Sequence, residues 1–324
     1  MRTRILITIG DINGIGPEII LKSLGREEIA KKYDITVVTP VSVFEYYYRL
    51  LHLKPVKGMF KIVTIGNDRI KINPGKITGE SGYVSGLAIK TAVELCRRNE
   101  FDAIVTAPIS KKALNLGGYN YTGHTEMLTD LCKSKDSVMV MISKKIIMGF
   151  ASTHPALKDA PKLINREMLA SKLGICYKTL RNDFGIPKPH IGVLSLNPHA
   201  GENGQIGREE IDIIKPSMVN IRKLHKKLKL EGPFPSDAYF AFKIYNRFDM
   251  TFAMYHDQGF IPFKMIAGLK GVNFTAGLPV VRTSPDHGTA YDIAGRNMAD
   301  EASLVEAIKT ADKIFKSRKK SSSS

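Results

Sequence analysis

The segment MTFAMYHDQG, residues 250–259, joins an apolar run to a sudden cluster of polar side chains. Residues 251–255 are apolar and begin with a β-branched residue, which predicts a buried strand. His256, Asp257 and Gln258 follow this run directly. Because ligands of open α/β folds bind outside the carboxyl ends of strands, this cluster is a candidate site. The alternative is an ordinary hydrogen-bonded histidine at the end of a strand.

The same arrangement occurs twice more in the chain. Residues 147–154 are IMGFASTH, and residues 190–199 are HIGVLSLNPH. Each is an apolar run of strand length that ends in a histidine followed by turn residues. Three such strand ends predict a metal site at His154, His199 and His256, because imidazole suits zinc and similar divalent ions, and three protein ligands leave one position open for substrate. The long spacing leaves three unrelated loop histidines as the alternative.

Length and composition place the chain among globular proteins with a large core. The 324 residues are enough for two domains, and 43% of them are hydrophobic. The 48 Lys and Arg against 31 Asp and Glu give a net charge of +17, which raises the question of nucleic-acid binding. However, the lysines are scattered singly or lie on helical faces such as residues 221–230. We therefore expect no nucleic-acid partner, and a field that favours anionic substrates.

Cysteine use and hydropathy indicate a cytoplasmic protein. Cys96, Cys132 and Cys176 lie far apart and form no CxxC pair, which disfavours a disulfide framework and fits a reducing compartment. No apolar run of membrane-spanning length and no signal peptide is present, so no membrane partner is expected. The terminal SRKKSSSS, residues 317–324, predicts a frayed tail after a last helix over residues 301–316.

Along the chain, predicted strands alternate with predicted helices. Long helices are expected over residues 81–98 and 209–230, and the alternation predicts an α/β architecture with a largely parallel sheet. The turn GDINGIGPE, residues 10–18, joins the first strand to a helix. A glycine-rich turn at a helix N-terminus can cradle an anion, although here it can equally be a tight connection.

Five motifs together resemble one family. They are GIGPE at residues 14–18, TGHTE at 122–126, NPHAGENG at 197–204, YHDQG at 255–259 and RTSPDHGTA at 282–290. In this order and spacing, over most of the chain, they are similar to the 4-hydroxythreonine-4-phosphate dehydrogenases of pyridoxal phosphate biosynthesis. HGTAYDIAG, residues 287–295, also resembles the HGSAPDIAG cofactor loop of isopropylmalate and isocitrate dehydrogenases. That superfamily binds NAD without a Rossmann fingerprint, and this sequence likewise contains no such fingerprint.

The resemblance implies a two-domain α/β/α fold of the isocitrate and isopropylmalate dehydrogenase type, with the active site in the interdomain cleft. Residues 1–120 together with 285–320 would form the α/β domain on the cofactor side. Residues 121–284 would form the α/β domain on the metal, substrate and dimer side. The resemblance further implies a homodimer whose active site lies near the subunit interface.

The resemblance also assigns site residues, position by position. His154, His199 and His256 match the divalent-metal ligands and the catalytic centre. The substrate-binding positions are matched by His124, Thr125, Lys264, Asn273 and Arg282, of which Lys264 also matches a catalytic position. The cofactor loop is matched by His287, Gly288, Thr289 and Ala290. Arg282 could grip an anionic group bidentately, or it could be a surface residue. The opening turn departs from the family, since IGDINGIGP replaces the more usual PGEPAGIGP.

The activity that the resemblance implies is the NAD-dependent oxidation and decarboxylation of 4-phosphohydroxy-L-threonine to 3-amino-2-oxopropyl phosphate, in vitamin B6 biosynthesis. NADP is the alternative acceptor, and the assisting divalent metal is expected to be zinc, with magnesium and cobalt as alternatives. Three other functions stay open. They are a paralogous dehydrogenase of a four-carbon sugar-acid phosphate (threonate or erythronate 4-phosphate), a phosphate acyltransferase of the broader fold, and a nucleic-acid-binding module.

Overall fold

The computed structural model describes residues 2–53, 60–66 and 69–322. The strands in this part of the chain are β1 (Arg4–Thr8), β2 (Asp34–Val38), β3 (Lys61–Val63), β4 (Ala103–Thr106), β5 (Val138–Ile142), β6 (Ile147–Phe150), β7 (His190–Leu194), β8 (Lys229–Phe234), β9 (Met250–Ala253), β10 (Val272–Ala276) and β11 (Arg282–Pro285). The α-helices are α1 (Gly16–Leu24), α2 (Glu27–Lys32), α3 (Val41–Leu50), α4 (Gly79–Arg97), α5 (Lys111–Leu116), α6 (His124–Leu131), α7 (Ala160–Leu163), α8 (Arg166–Asn182), α9 (Lys215–Leu224), α10 (Ser236–Ala241), α11 (His256–Ala267) and α12 (Ala302–Ser322).

The chain divides into two compact units. Unit 1 contains Met1–Lys135 and Leu278–Phe315, and unit 2 contains Asp136–Gly277 and Lys316–Ser324. The predicted boundaries lay at residues 120/121 and 284/285, so they assigned α6 and Arg282 to the other domain. In the structure α6 packs on α4, and β11 pairs with β4. Unit 1 therefore contains Arg282 together with the predicted cofactor loop.

Unit 1 is built on a parallel sheet. Its strands follow the order β3-β2-β1-β4-β11, and each adjacent pair runs parallel. Ile5, Leu6 and Ile7 of β1 are fully buried, as an apolar run in a parallel sheet requires. The helix α4 packs on β1, β2 and β4, and the hydroxyl of Thr78 caps it by accepting a hydrogen bond from the Ser81 amide at 3.1 Å. The strand ends of β1, β4 and β11 consequently share one edge.

Unit 2 has a mixed sheet in the order β10-β5-β6-β9-β7-β8. The strand β5 is antiparallel to both β10 and β6, and the remaining pairs are parallel. A core cluster that includes Met148, Phe150 and Phe263 seals α11 against β6 and β9. The largely parallel α/β architecture predicted from the sequence is confirmed. The carboxyl ends of β6, β9 and β7 lie at one edge of this sheet.

Two predicted elements differ from the structure. The helix expected over residues 209–230 is a π-helical turn (Glu210–Ile214) followed by α9, and Lys229 begins β8 because its amide donates to Pro189 O at 2.8 Å. The expected frayed tail is helical as far as Ser322. It is anchored because Arg318 pairs with Asp183 at 2.5 Å. Within the described ranges, none of the helices has the length and apolarity needed to cross a membrane.

Candidate active site

His154 and His256 lie close together in unit 2. They follow the carboxyl ends of β6 and β9, which are neighbouring parallel strands. The centroids of the two imidazole rings are 6.2 Å apart, and the ring planes meet at 40°. Both histidines line a cavity of about 550 Å³, together with Ser152, Tyr255 and Asp257. The structure therefore joins two of the three predicted metal ligands.

Two contacts fix the orientation of the His256 ring. It is the first residue of α11, and its ring stacks on Phe260 at a centroid distance of 4.1 Å with only 10° between the planes. Its Nδ1 lies 2.7 Å from Asp257 Oδ1. In the neutral imidazole, donation from Nδ1 to a carboxylate leaves the lone pair on Nε2, which is the arrangement of metal-binding histidines. The donor chemistry of this site thus fits a borderline divalent ion.

His199 lies in an exposed segment of unusual backbone conformation. From His199 to Asn203 every φ angle is positive, between 42° and 79°. The side chain of His199 does not line the cavity of His154 and His256. In residues 2–53, 60–66 and 69–322, no three His, Cys, Asp or Glu side chains are arranged to hold a metal ion together. The third predicted ligand is thus not brought to the other two.

Arg282 in unit 1 is 1% exposed, so it is not a surface residue. It is the first residue of β11. Its Nε and Nη2 donate to Thr106 Oγ1 at 3.0 and 2.6 Å. Because Arg282 pairs with Ile104, this contact directs the guanidinium towards the carboxyl end of β4. Burial lowers the pKa of Arg282 to about 9, so the group is still positive at neutral pH.

His124 is the imidazole beside this guanidinium. It begins α6, and Thr125 follows it in the same first turn. Burial and the charge of Arg282 hold the pKa of His124 well below its usual range, so the ring is neutral at neutral pH. Its Nε2 is buried and has no hydrogen-bond partner among the described residues. A buried guanidinium beside such a nitrogen and a helix N-terminus favours an oxygen-rich anion.

The two remaining predicted substrate residues lie elsewhere in unit 2. Lys264 is exposed, two turns beyond His256 on α11, and does not line the histidine cavity. Asn273 lies in β10 opposite Met141. Its Oδ1 is buried and has no hydrogen-bond partner in the described chain. A buried amide oxygen in this state is prepared to accept a hydrogen bond from a ligand.

The predicted cofactor loop, His287, Gly288, Thr289 and Ala290, follows the carboxyl end of β11 and rests on the glycine-rich turn. The Ile15 amide donates to Thr289 O at 3.0 Å. A Cβ atom on Gly14 would lie 2.9 Å from the same oxygen, so only glycine permits this approach. The Nε2 of His287 is buried without a hydrogen-bond partner among the described residues. The loop thus offers an unsatisfied polar atom to a ligand.

Two residues near this loop are not predicted as functional from the sequence. Asp11 in the glycine-rich turn is fully buried, and its Oδ2 accepts a hydrogen bond from the Tyr291 hydroxyl at 2.6 Å. Burial raises the pKa of Asp11 above its ordinary value. The only signal in the sequence was that Asp11 stands in the turn that departs from the family pattern.

Comparison with known proteins finds one family over most of the chain. The sequence model described as "Pyridoxal phosphate biosynthetic protein PdxA" matches residues 24–311. The 4-hydroxythreonine-4-phosphate dehydrogenase of Prosthecochloris aestuarii is 40% identical, covering 95% of this chain and 96% of the relative. The D-threonate 4-phosphate dehydrogenase of Salmonella typhimurium is 37% identical, with 95% and 97% covered.

A solved structure agrees with these relatives. The crystal structure of 4-hydroxythreonine-4-phosphate dehydrogenase from Klebsiella pneumoniae superposes with a TM-score of 0.86 at 35% identity, covering 97% of this chain and 98% of the other. The two proteins thus share the same fold.

Proposed function

The chain belongs to the family of pyridoxal phosphate biosynthetic protein PdxA, whose relatives are named as dehydrogenases, and we propose that it oxidises and decarboxylates 4-phosphohydroxy-L-threonine to 3-amino-2-oxopropyl phosphate. The hydride acceptor in this proposal is NAD, with NADP as the alternative. The observation that carries the proposal is the anion site of unit 1. There a buried, positive Arg282 lies beside a neutral His124 whose Nε2 has no partner in the described chain.

Residues of unit 1 would bind the anionic parts of the two reactants. Arg282 presents planar N–H donors to a phosphate or carboxylate, and His124 and Thr125 add donors at the N-terminus of α6. Beyond β11, residues 287–290 would hold the nicotinamide nucleotide. His287 Nε2 is the buried atom in this loop that a bound nucleotide can satisfy.

Residues of unit 2 would bind a divalent metal. His154 and His256 would supply two imidazoles, with Asp257 fixing the tautomer of His256, and we propose His199 as the third ligand. A divalent ion held by these residues would supply a Lewis acid for the substrate hydroxyl and the resulting ketone, and a nicotinamide nucleotide would supply the hydride acceptor. Zinc is the first candidate, with magnesium and cobalt as alternatives. Asn273 and Lys264 would contact the substrate, and Lys264 would donate a proton after carbon dioxide leaves.

The reaction balances without a further reactant. The carbon that carries the hydroxyl loses a hydride to the nicotinamide, and its oxygen loses a proton. The product is a β-keto acid, so the carboxylate can leave as carbon dioxide, and a proton then replaces it. Arg282 and His124 keep the phosphorylated end of the substrate fixed during these steps, which limits the loss of rate from misalignment.

A four-carbon sugar-acid phosphate is the second candidate substrate. The Salmonella relative named as a D-threonate 4-phosphate dehydrogenase is 37% identical, almost as similar as the first relative. Threonate and erythronate 4-phosphate keep the phosphate and the oxidised hydroxyl, so the anion site of unit 1 would serve them equally well. The two candidates differ in whether an amine or a hydroxyl stands beside the oxidised carbon.

Two further properties belong to the proposal. A homodimer is supported by an exposed apolar stripe at the end of α11, formed by Ile261 and Met265 on the helix and by Leu269 just beyond it. Lys264 lies on the same helix, so a dimer through α11 would bring it to the subunit boundary. A cytoplasmic location is supported by three free, buried cysteines.

The test is an assay for NADH by absorbance, with 4-phosphohydroxy-L-threonine, threonate 4-phosphate and erythronate 4-phosphate compared side by side. We expect the highest kcat/KM with 4-phosphohydroxy-L-threonine and NAD, loss of activity with a chelator, and recovery when zinc, magnesium or cobalt is restored. The variant His256→Ala should be inactive, while His225→Ala, a histidine stacked on Tyr177 away from the site, should retain activity. A higher kcat/KM with a sugar-acid phosphate would replace the proposed substrate, and full activity in metal-stripped protein would end the metal proposal.

A further inference from the structure

A buried carboxylate ties together three segments of unit 1. Asp11 Oδ2 accepts hydrogen bonds from the hydroxyls of Tyr291 at 2.6 Å and Ser81 at 3.2 Å. Asp11 Oδ1 accepts one from the Asn13 amide at 2.9 Å. The partners come from the segment after β11, from α4 and from the glycine-rich turn itself. No exposed surface remains on Asp11, so these contacts replace its hydration.

Tyr291 connects this carboxylate to the predicted nucleotide-binding loop. It directly follows residues 287–290, and its hydroxyl donates to Asp11 Oδ2 at 2.6 Å. The backbone of Thr289 is attached to the same turn through the Ile15 amide. The loop is consequently fixed to the glycine-rich turn at two points, Thr289 O and the Tyr291 hydroxyl. The second of these points, the Tyr291 hydroxyl, is bonded to Asp11.

The glycine-rich turn is itself held rigidly. Asn13 is fully buried, and its side chain accepts from the Asn73 amide at 2.7 Å and donates to Lys76 O at 3.0 Å and to Thr78 Oγ1 at 3.1 Å. Fully satisfied buried networks of this kind rigidify the segments that they join. The support beneath the loop therefore does not need a ligand to order it.

A segment that is ordered before binding loses less conformational freedom when the ligand arrives, which increases affinity. From this geometry we propose that Asp11 and Tyr291 are positioning residues, which hold residues 287–290 in the conformation that binds the nicotinamide nucleotide. The proposal rests on the proposed function, because it takes these residues as the cofactor loop. Asp11 and Tyr291 act through the loop and contact no reacting atom.

The test is direct NAD binding by calorimetry, with the full chain as wild type and as Tyr291→Phe. This substitution removes only the hydroxyl and keeps the ring. We expect the Kd for NAD to rise about tenfold, the effect of one lost hydrogen bond of about 1.4 kcal/mol. The kcat at saturating NAD and the Kd for 4-phosphohydroxy-L-threonine should change less than about twofold. The reason is that the loop is proposed to bind the nucleotide and not the phosphorylated substrate.

Tyr47→Phe is the matched control. Tyr47 is fully buried, and its hydroxyl donates to Ile12 O at 2.8 Å in the same turn, rather than to any of the described residues 287–291. A role confined to folding stability would make the two tyrosine variants behave alike. A cycle of Asp11→Asn, Tyr291→Phe and the double variant adds a second check, because two side chains that act through one bond give non-additive changes in NAD affinity.

The outcomes separate this proposal from the proposed function. If wild type produces NADH but Tyr291→Phe binds NAD as tightly as wild type, the positioning role is overturned and the proposed function stands. An equal loss of NAD affinity in Tyr47→Phe would also overturn it. If wild type neither binds NAD nor produces NADH with any of the three substrates, both proposals fail. The positioning role is supported by a rise in the Kd for NAD in Tyr291→Phe and Asp11→Asn but not in Tyr47→Phe, together with a double variant whose loss of affinity is not the sum of the two single losses.

Discussion

At the scale of single residues, Arg282 combines complete burial with a positive charge at neutral pH. The pKa of Arg282 falls to about 9 because burial disfavours the charged form. The guanidinium Nη2 donates a hydrogen bond to Thr106 Oγ1. Burial of a charge is costly unless other groups compensate it. The two donated bonds to Thr106 Oγ1 supply part of that compensation.

Arg282→Lys should separate binding from folding. Lysine cannot reproduce the planar fork, so we expect substrate affinity to fall at least about tenfold, roughly 1.4 kcal/mol. Folding stability should also fall, by about 1–3 kcal/mol, because a buried hydrogen bond to Thr106 is lost. Calorimetry with 4-phosphohydroxy-L-threonine measures the first effect, and chemical denaturation measures the second.

Thr106→Val is the control for this variant, because it removes the same hydroxyl acceptor and leaves the guanidinium in place. A purely structural Arg282 would give similar changes in stability for both variants and no loss of substrate affinity in Arg282→Lys. Unchanged affinity in Arg282→Lys would show that the substrate site is assigned wrongly at this position.

Single residues were predictable from the sequence where the signal was local. The histidines at 154 and 256 were identified because an apolar run ends just before each of them, and that pattern is visible within ten residues. The bond between Asp11 and Tyr291 joins positions 280 apart, and the influence of Arg282 on His124 also spans about half of the chain. Contacts of this kind depend on the folded topology, so no spacing in the sequence could indicate them.

At the scale of elements, the segment from Pro198 to Gly204 is the most strained part of the candidate site. Left-handed backbone costs a non-glycine residue on the order of 1–2 kcal/mol, and His199, Ala200, Glu202 and Asn203 all adopt it. Strain at such a position persists only when the surroundings enforce it, and it is concentrated at functional sites. Glu210 supplies this support. It is fully buried, and its carboxylate accepts from the amides of Leu196 and Asn197 at 2.8 Å and from Asn197 Nδ2 at 2.9 Å.

Glu210→Gln should weaken metal binding through this segment. The glutamine keeps one acceptor oxygen, but its amide would face the Asn197 amide, donor against donor. We expect zinc affinity to fall about tenfold, as supporting groups around metal ligands commonly show, with a loss of about 1–3 kcal/mol in folding stability. Competition with a chromophoric chelator measures the affinity independently of activity.

Glu209→Gln is the matched control for that prediction. Glu209 contacts the same Asn197 Nδ2 at 2.7 Å, but it is partly exposed, and the described backbone amides of residues 196 and 197 donate to Glu210 instead. Its variant should bind zinc nearly as wild type does. Equal zinc affinity in Glu210→Gln and wild type would show that His199 does not depend on this support, or is not a ligand.

Elements were predicted well where the hydrophobic period was clear, as for α4, and poorly where tertiary pairing overrode it. The basic run at residues 221–230 has a helical pattern, yet Lys229 and Leu230 pair with β7 as a strand. The low-complexity tail suggested disorder, but Ser317 Oγ donates to Asn182 O at 2.9 Å and Arg318 pairs with Asp183. Both corrections come from partners that are distant in the sequence.

At the scale of the whole molecule, alternating strands and helices were sufficient to predict an α/β protein with mostly parallel strands. The pattern could not give the strand order, nor the antiparallel placement of β5 between β10 and β6. Strand order depends on which apolar faces bury each other, and the sequence contains several runs of similar length and hydropathy. The compact units divide at Lys135/Asp136 and Gly277/Leu278, whereas the expected boundaries lay at 120/121 and 284/285, and the pairing of β11 with β4 accounts for the second difference.

An exposed apolar stripe on α11 is the surface feature most relevant to assembly. Ile261 and Met265 are 58% and 82% exposed and lie four residues apart on one side of α11, and Leu269, 75% exposed, follows the end of the helix at Ala267. The opposite side of α11 carries the fully buried Phe263. Burial of apolar surface contributes about 25 cal/mol per Å², so covering this stripe with a second copy of the chain would favour a dimer.

The double variant Met265→Glu with Leu269→Glu should convert the proposed dimer to monomer, because two buried carboxylates from each subunit would face an apolar contact without partners. Analytical ultracentrifugation measures the mass. If the active site lies near the subunit interface, loss of the dimer should also lower turnover. The melting temperature should change little. Leu224→Glu is the control, since Leu224 is 73% exposed on α9 and outside the stripe. A monomeric wild type would refute the homodimer, and a double variant that stays dimeric would place the contact on another surface.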